Sequence, residues 1–242
     1  MLPAQPNQSL IDGLATLQAV AAAPEPVGTR ALARQLGLDP TRANRLLKTL
    51  AHLGLTRRSL DGRYGAGPAI HVLAAQSLRA SGLIRRSLKP LQELGRFDAI
   101  VAMGVLWRDE VCYIYFAPPG ADIDQALGSR DPHPATTSGL GLALLAELSE
   151  ADVRARFRGR PTPGFADAYD LLRALGGIRR QGYALSAFGR LRGHATVAVS
   201  LGDPAYAAIG LAGKIDRRKE RSYARALREA AAAIEPADAS AA

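Results

Sequence analysis

Between Thr29 and Gly54 the chain carries two short amphipathic segments separated by a hard stop. That pattern leaves room for little besides two helices joined by a tight turn. From Thr29 to Leu36, Ala31, Leu32 and Leu36 fall at helical spacing, and Gly37 terminates the segment. Asp39-Pro40 then pairs a capping side chain with a first-turn proline and opens a helix that runs to about Leu53, where Gly54 ends it. Two helices so joined make a helix-turn-helix.

The flanks extend this unit. Ser9 caps a first helix to about Ala22, with Leu10, Leu14, Leu17 and Val20/Ala21 on one face, and Pro24-Glu25-Pro26 breaks it. Beyond Gly54, Leu55 to Arg58 and Arg63 to Gly65 are short extended pieces around Ser59-Leu60-Asp61-Gly62. Asp-Gly favours a hairpin turn there. The order is helix, helix-turn-helix, hairpin wing, and residues 1–67 read as a winged helix-turn-helix domain. Tyr64 reads as packing the wing onto the helices. Pro68 opens a linker helix over about 69–80, within a linker segment 68–82.

Taken as a cylinder, the third helix turns Ala43, Leu46, Leu47 and Leu50 to one side. Thr41, Asn44, Arg45, Lys48 and His52 occupy the other, with Arg42 and Thr49 at its margins. Arg and Lys suit guanine edges or phosphates, Asn suits adenine, and Thr can donate to phosphate. The wing adds Arg57, Arg58 and Arg63 for backbone or minor-groove contact. The DNA-binding candidates are therefore Thr41, Arg42, Asn44, Arg45, Lys48, Thr49, Arg57, Arg58 and Arg63. Charge agrees with this placement. Residues 1–90 hold 12 Lys+Arg against 4 Asp+Glu, a net of +8, and the remainder holds 19 against 18, a net of +1. A basic module on a near-neutral body points to a polyanion partner, double-stranded DNA. One helix-turn-helix makes too few contacts for operator affinity, so a homodimer or homotetramer is expected. The first helix and the linker helix, whose Ile70, Leu73, Ala74 and Leu78 form an apolar seam, are the natural joining surfaces.

Residues 83–242 alternate helical and β-rich stretches, which makes the chain α+β. Leu83–Gly95 is amphipathic. Ala99–Leu106 and Val111–Phe116 flank a Trp107–Glu110 hairpin. Helices fit Gly139–Leu148, Glu150–Phe157, Phe165–Arg180 and Asp216–Ile234. Strands fit Tyr183–Ser186, Ala195–Leu201 and Ala205–Ala212.

The chain resembles the IclR family of transcription regulators. Its first domain carries the likeness in Ala31-Leu32-Ala33-Arg34-Gln35-Leu36-Gly37, Arg45-Leu46-Leu47-Lys48-Thr49-Leu50, Leu53-Gly54-Leu55 and Asp61-Gly62-Arg63-Tyr64. The second domain carries it more thinly, in Pro134–Ala146, Gly182-Tyr183-Ala184 and Gly193–Ser200. The resemblance implies a GAF-like effector-binding and oligomerisation domain with an antiparallel sheet. Its effector would be a small organic molecule, aromatic or carboxylic. On that resemblance the lining candidates are Met103, Tyr113, Thr137, Ser138, Phe188, His194 and Thr196. For Met103 and His194 a core role stands equally open. The chain departs from the family pattern where acidic residues are usual, at Ser186, Phe188 and Gly189, and where Cys is common, at Thr196. Phe188 either makes the pocket more apolar or fills it, leaving a regulator without a small-molecule effector.

Other readings compete. Ser138, Ser186 and Ser200 with His133 or His194 offer a hydrolase a nucleophile and a base, but no Gly-x-Ser-x-Gly elbow accompanies them. A non-specific nucleoid-type binder would share the basic module. No catalytic residue, cofactor or metal site is expected. Cys112 is the one cysteine and reads as a buried hydrophobe. No apolar run approaches the ~18–20 residues of a membrane span, and Met1–Gln8 lacks a signal-peptide pattern, so the expected location is the cytoplasm.

Overall fold

Helices α1 (Gln8–Ala21), α2 (Thr29–Leu36) and α3 (Pro40–His52) begin and end at capping residues. The computed structural model describes residues 5–127, 132–187 and 193–235, and the chain divides into two units, one up to Gly82 and one from Leu83. In the first unit, Asn7 rather than Ser9 caps α1, its side chain accepting from the Leu10 amide at 3.0 Å. Asn7 is still extended there, so its carbonyl oxygen reaches the first turn, whereas Ser9 is already helical. Gly37 closes α2 at φ +64°, a conformation that would strain any side chain. Within α2, Leu32 and Ala33 turn inward and Ala31 is exposed, one step from the expected face. Asp39 caps α3 through the amides of Thr41 (2.8 Å) and Arg42 (3.2 Å).

Val20, Leu32, Leu47 and Tyr64 form the core of this unit, with Val27, Leu36 and Ala51 packed against them. The wing is a hairpin of β1 (Thr56–Arg58) and β2 (Tyr64–Ala66). It is tied to the segment before α2 and to α3. Val27 and Tyr64 exchange two hydrogen bonds, of 2.8 and 2.9 Å, and the buried Thr56 hydroxyl donates to the Leu47 carbonyl at 3.3 Å. Gly62, at φ +81°, takes the left-handed position in the wing turn, where Ser59 and Arg63 close the loop. Helix α4 (Ala69–Ser81) follows Pro68 and buries no residue.

The second unit is a six-stranded antiparallel sheet with helices on both faces. Its strands are β3 (Ile100–Trp107), β4 (Glu110–Ala117), β5 (His133–Pro134), β6 (Ala184–Ser186), β7 (His194–Leu201) and β8 (Ala207–Lys214), in the order β5-β4-β3-β8-β7-β6. The helices are α5 (Leu83–Glu93), α6 (Ile123–Ala126), α7 (Gly139–Glu147), α8 (Glu150–Arg156), α9 (Ala168–Gln181) and α10 (Glu220–Ile234). Strand alternation sorts the core into two layers. Val101, Met103, Tyr115, Val197, Val199, Ile209 and Leu211 pack with α5 and α10. Ala102, Ala198 and Ala208 pack with α7 and α9. The small residues of this second face let α7 lie directly on the sheet: a Cβ added at Gly210 would come within 2.7 Å of Leu140 Cδ1. Helix α7 is buried all round from Gly139 to Ala146, as its uniformly apolar sequence requires. The mixed architecture is the expected one. The proline-rich stretch after β4 also holds elements that periodicity missed, namely α6, β5 and a single 3₁₀ turn over Ala135–Thr137. They are too short to show a period.

Candidate nucleic-acid interface and effector face

The leucine stripe of α3 faces the core, with Ala43 and Leu47 fully enclosed, Leu50 buried and Leu46 half-buried. The opposite face presents Thr41, Arg45, Lys48 and Thr49 to solvent, with Arg42 and Asn44 half-buried beside them. Arg57, Arg58 and Arg63 are exposed on the wing. The structure thus gathers the predicted cationic residues onto two adjoining elements pinned together at Thr56 and Tyr64. Arg63 pairs with Asp61 at 3.3 Å, and the Ser59 hydroxyl, followed by Arg63, holds the Asp61 carboxyl below the usual carboxylate range. Arg58 folds over Gly62, its guanidinium 3.2 Å from where a Cβ would stand.

Two side chains on this face are already engaged. The Thr49 hydroxyl donates to the Arg45 carbonyl at 3.0 Å, so its proton is spent inside the helix rather than held ready for a phosphate. Arg42 forms an ion pair with Asp12 of α1 at 2.7 Å.

In the second unit, Tyr113 and Ser138 share a hydrogen bond of 2.9 Å, and the Ser138 hydroxyl also accepts from the Gly141 amide at 3.3 Å as the cap of α7. Burial raises the Tyr113 phenol above its ordinary pKa, opposed by the Ser138 bond. A Cβ at Gly139 would collide with Thr196 Cγ2 at 2.6 Å and lie 3.1 Å from Ser186 Oγ, so Thr196 and Ser186 abut the start of α7. His194, two residues before Thr196 on β7, shares its face and is half-buried. Thr137 donates its hydroxyl to the Pro134 carbonyl at 3.1 Å. Met103 does not join this group. It is fully buried in the layer with α5 and α10, because β3 alternation sends it to the opposite side of the sheet from Ala102. It takes the core role left open for it. Phe188 lies outside the described residues.

The sequence profile of the IclR helix-turn-helix domain matches residues 9–59, and that of the bacterial transcriptional regulator IclR C-terminal domain matches residues 75–236. The chain belongs to the IclR family of transcriptional regulators. It is similar in structure to an IclR family transcriptional regulator from Brucella abortus, with 25% identity, 95% of this chain and 92% of that one covered, and a TM-score of 0.75. An IclR transcriptional regulator from Alicyclobacillus acidocaldarius is similar at 22% identity, 95% and 98% coverage and a TM-score of 0.72. An IclR homolog from Microbacterium hydrocarbonoxydans, solved in complex with 4-hydroxybenzoate, is similar at 19% identity, 93% and 97% coverage and a TM-score of 0.66. No curated protein matches the sequence.

Membership of the IclR family sets the hydrolase reading aside, since its members are transcriptional regulators and not enzymes. Among the described residues, no helix is long and apolar enough to cross a membrane. Two buried polar residues escaped sequence reasoning. Asp12 showed only as a lone acid on an amphipathic helix, and its partner Arg42 lies on another element. Thr136 is buried with an unpartnered hydroxyl in the turn before α7, where short polar residues give no periodic signal. The Thr49 bond, by contrast, was open to a local argument, because a helical Thr commonly donates to the carbonyl four residues back.

Proposed function

We propose that this IclR-family regulator recognises a specific DNA operator as a symmetric oligomer, with α3 in the major groove and the wing on the adjoining backbone or minor groove. Residues 1–67 serve as the DNA-binding domain, 68–82 as the linker and 83–242 as the effector-binding and oligomerisation domain, acting in the cytoplasm. The observation that carries this reading is the two-sided α3: leucines enclosed, Arg45 and Lys48 exposed beside three wing arginines. Thr41, Asn44, Arg57, Arg58 and Arg63 complete the contact set. Dimerisation through α1 and α4 is supported by their uncovered apolar side chains. Leu10 is 61% exposed, Leu14 45%, Val72 53%, Leu73 55% and Leu78 44%, and burying them would contribute about 25 cal/mol per Å². Selection of duplexes from a randomised pool, followed by footprinting, is expected to return two dyad-related half-sites about 34–36 Å apart or a multiple of that. Equal retention of all sequences would instead identify a non-specific binder.

The effector reading rests on the hydroxyl cluster of Tyr113, Ser138 and Thr196, with His194 on the Thr196 face and Thr137 next to Ser138 in the chain, and on the 4-hydroxybenzoate bound by a structural relative. Saturating 4-hydroxybenzoate is expected to raise the Tm of the native protein, by about 2.7 kcal/mol of linkage at a hundredfold excess over Kd. Ser138→Ala should lose that increment. The close contact of Gly139 with Thr196 and Ser186 favours the second reading, a filled face without effector. An unchanged Tm with 4-hydroxybenzoate and with other small aromatic and aliphatic carboxylates would decide for it.

A further inference from the structure

We infer that Asp12 is a positioning residue for DNA recognition: it holds Arg42 away from the phosphates and uses it as a charge-neutral strut between α1 and α3. The inference rests on the reading of α3 as the groove helix. Both oxygens of the Asp12 carboxylate are occupied, Oδ1 by the Gln8 amide at 2.7 Å and Oδ2 by the Arg42 guanidinium at 2.7 Å. The Asp12 side chain is only 10% exposed, that of Arg42 42%. An enclosed carboxylate with its countercharge withdrawn is costly, far more so than an exposed one.

Arg42 sits in the first turn of α3, where the helix N-terminus already favours a phosphate, and an unpaired arginine there would go to the DNA backbone. A phosphate competing for it must leave Asp12 buried and unpaired. Arg42 therefore stays on α1 when DNA binds. What the α3 N-terminus gives up is sequence-independent attraction. What it gains is a fixed roll relative to α1, and that roll aims Arg45, one turn further on. Helix α1 also presents Leu10 and Leu14 outward, so the strut joins the reading helix to the element offered to a second subunit.

The test measures salt dependence with two probes, a duplex selected by the native protein and a random-sequence duplex. Asp12→Asn keeps the shape of the side chain but leaves the Arg42 charge uncancelled. The log–log salt slope for the random duplex should steepen by about 0.9 per protomer, the signature of one new phosphate contact, and discrimination between the probes should fall severalfold. Asp12→Asn combined with Arg42→Ala should restore the native slope. Glu25→Gln, the same charge change at an exposed site of the same unit, should leave the slope alone. The proposal is overturned by an unchanged slope in Asp12→Asn, by an equal change in Glu25→Gln, or by a steep slope that survives in the double variant. Should Asp12→Asn fail to fold, Arg42→Gln, whose amide can still donate to the Asp12 carboxylate, decides alone. A strut predicts an unchanged random-duplex slope with reduced discrimination, whereas a phosphate contact predicts a shallower slope. Arg45→Ala separates the two levels of argument. If it leaves discrimination intact, α3 is not the reading helix and the proposal falls with it; if it abolishes discrimination while Asp12→Asn changes nothing, the strut alone is wrong.

Discussion

Arg45→Ala is expected to weaken binding to the selected operator by about 1–3 kcal/mol, roughly ten- to a hundredfold, and to relax specificity at one base position. Arg45 is exposed in the middle of α3, on the face away from Leu47 and Leu50. A guanidinium there reaches two acceptors of one guanine edge, and alanine leaves both without a partner. Affinity for a random duplex should change far less. Lys48→Ala, one turn away, should behave in the opposite manner if it meets phosphate: weaker binding to every sequence and a salt slope shallower by about one. Fluorescence-anisotropy titrations of both variants, on both duplexes and across a salt series, distinguish the two roles. Equal losses on selected and random DNA for Arg45→Ala would remove base reading from this residue.

Leu47→Ala should cost about 2–5 kcal/mol in the DNA-binding unit. Leu47 has no exposed surface, and it packs in a cluster of four buried side chains with few neighbours to close a cavity. Its backbone carbonyl also receives the Thr56 hydroxyl that ties the wing to α3. A unit of this size has only on the order of 5 kcal/mol to spare, so α2, α3 and the wing are expected to open together. Amide hydrogen exchange reads this locally: protection should collapse across residues 29–66 and persist in strands β3, β7 and β8. Protection retained in α3 would show that the small core relaxes around the lost methyl groups. Operator affinity should fall with the folded population, and Leu47→Met, which conserves volume, should largely restore both.

The elements legible in advance were those set by nearest neighbours along the chain. Gly37 ends α2 because the left-handed conformation is cheap only for glycine, and Asp39-Pro40 starts α3 because a carboxylate and a fixed φ suit a helix N-terminus. Both act within a few residues, so one sequence suffices to see them. The inward Leu47 and the outward Arg45 and Lys48 followed from a 3.6-residue period over a helix of ample length. Strands β6, β7 and β8 came out within one or two residues of their ends and the start of α9 three residues early, whereas α6 and β5 did not come out at all, because their spans are too short for a period to emerge.

The sequence by itself determined which face of α3 is apolar and which is cationic, and where α2 stops and α3 starts. Tertiary structure decided which charged groups meet across elements. Arg42 and Asp12 lie on different helices, and no local pattern could say that they meet; their pairing exists only once α1 crosses α3. The same holds in the second unit. Met103 stood open between pocket lining and core until the pleat of β3 sent it to one side of the sheet, while Tyr113 reached Ser138 on the other. Capping and periodicity are short-range effects fixed by covalent neighbours, whereas ion pairs and shared faces depend on distances that only packing creates.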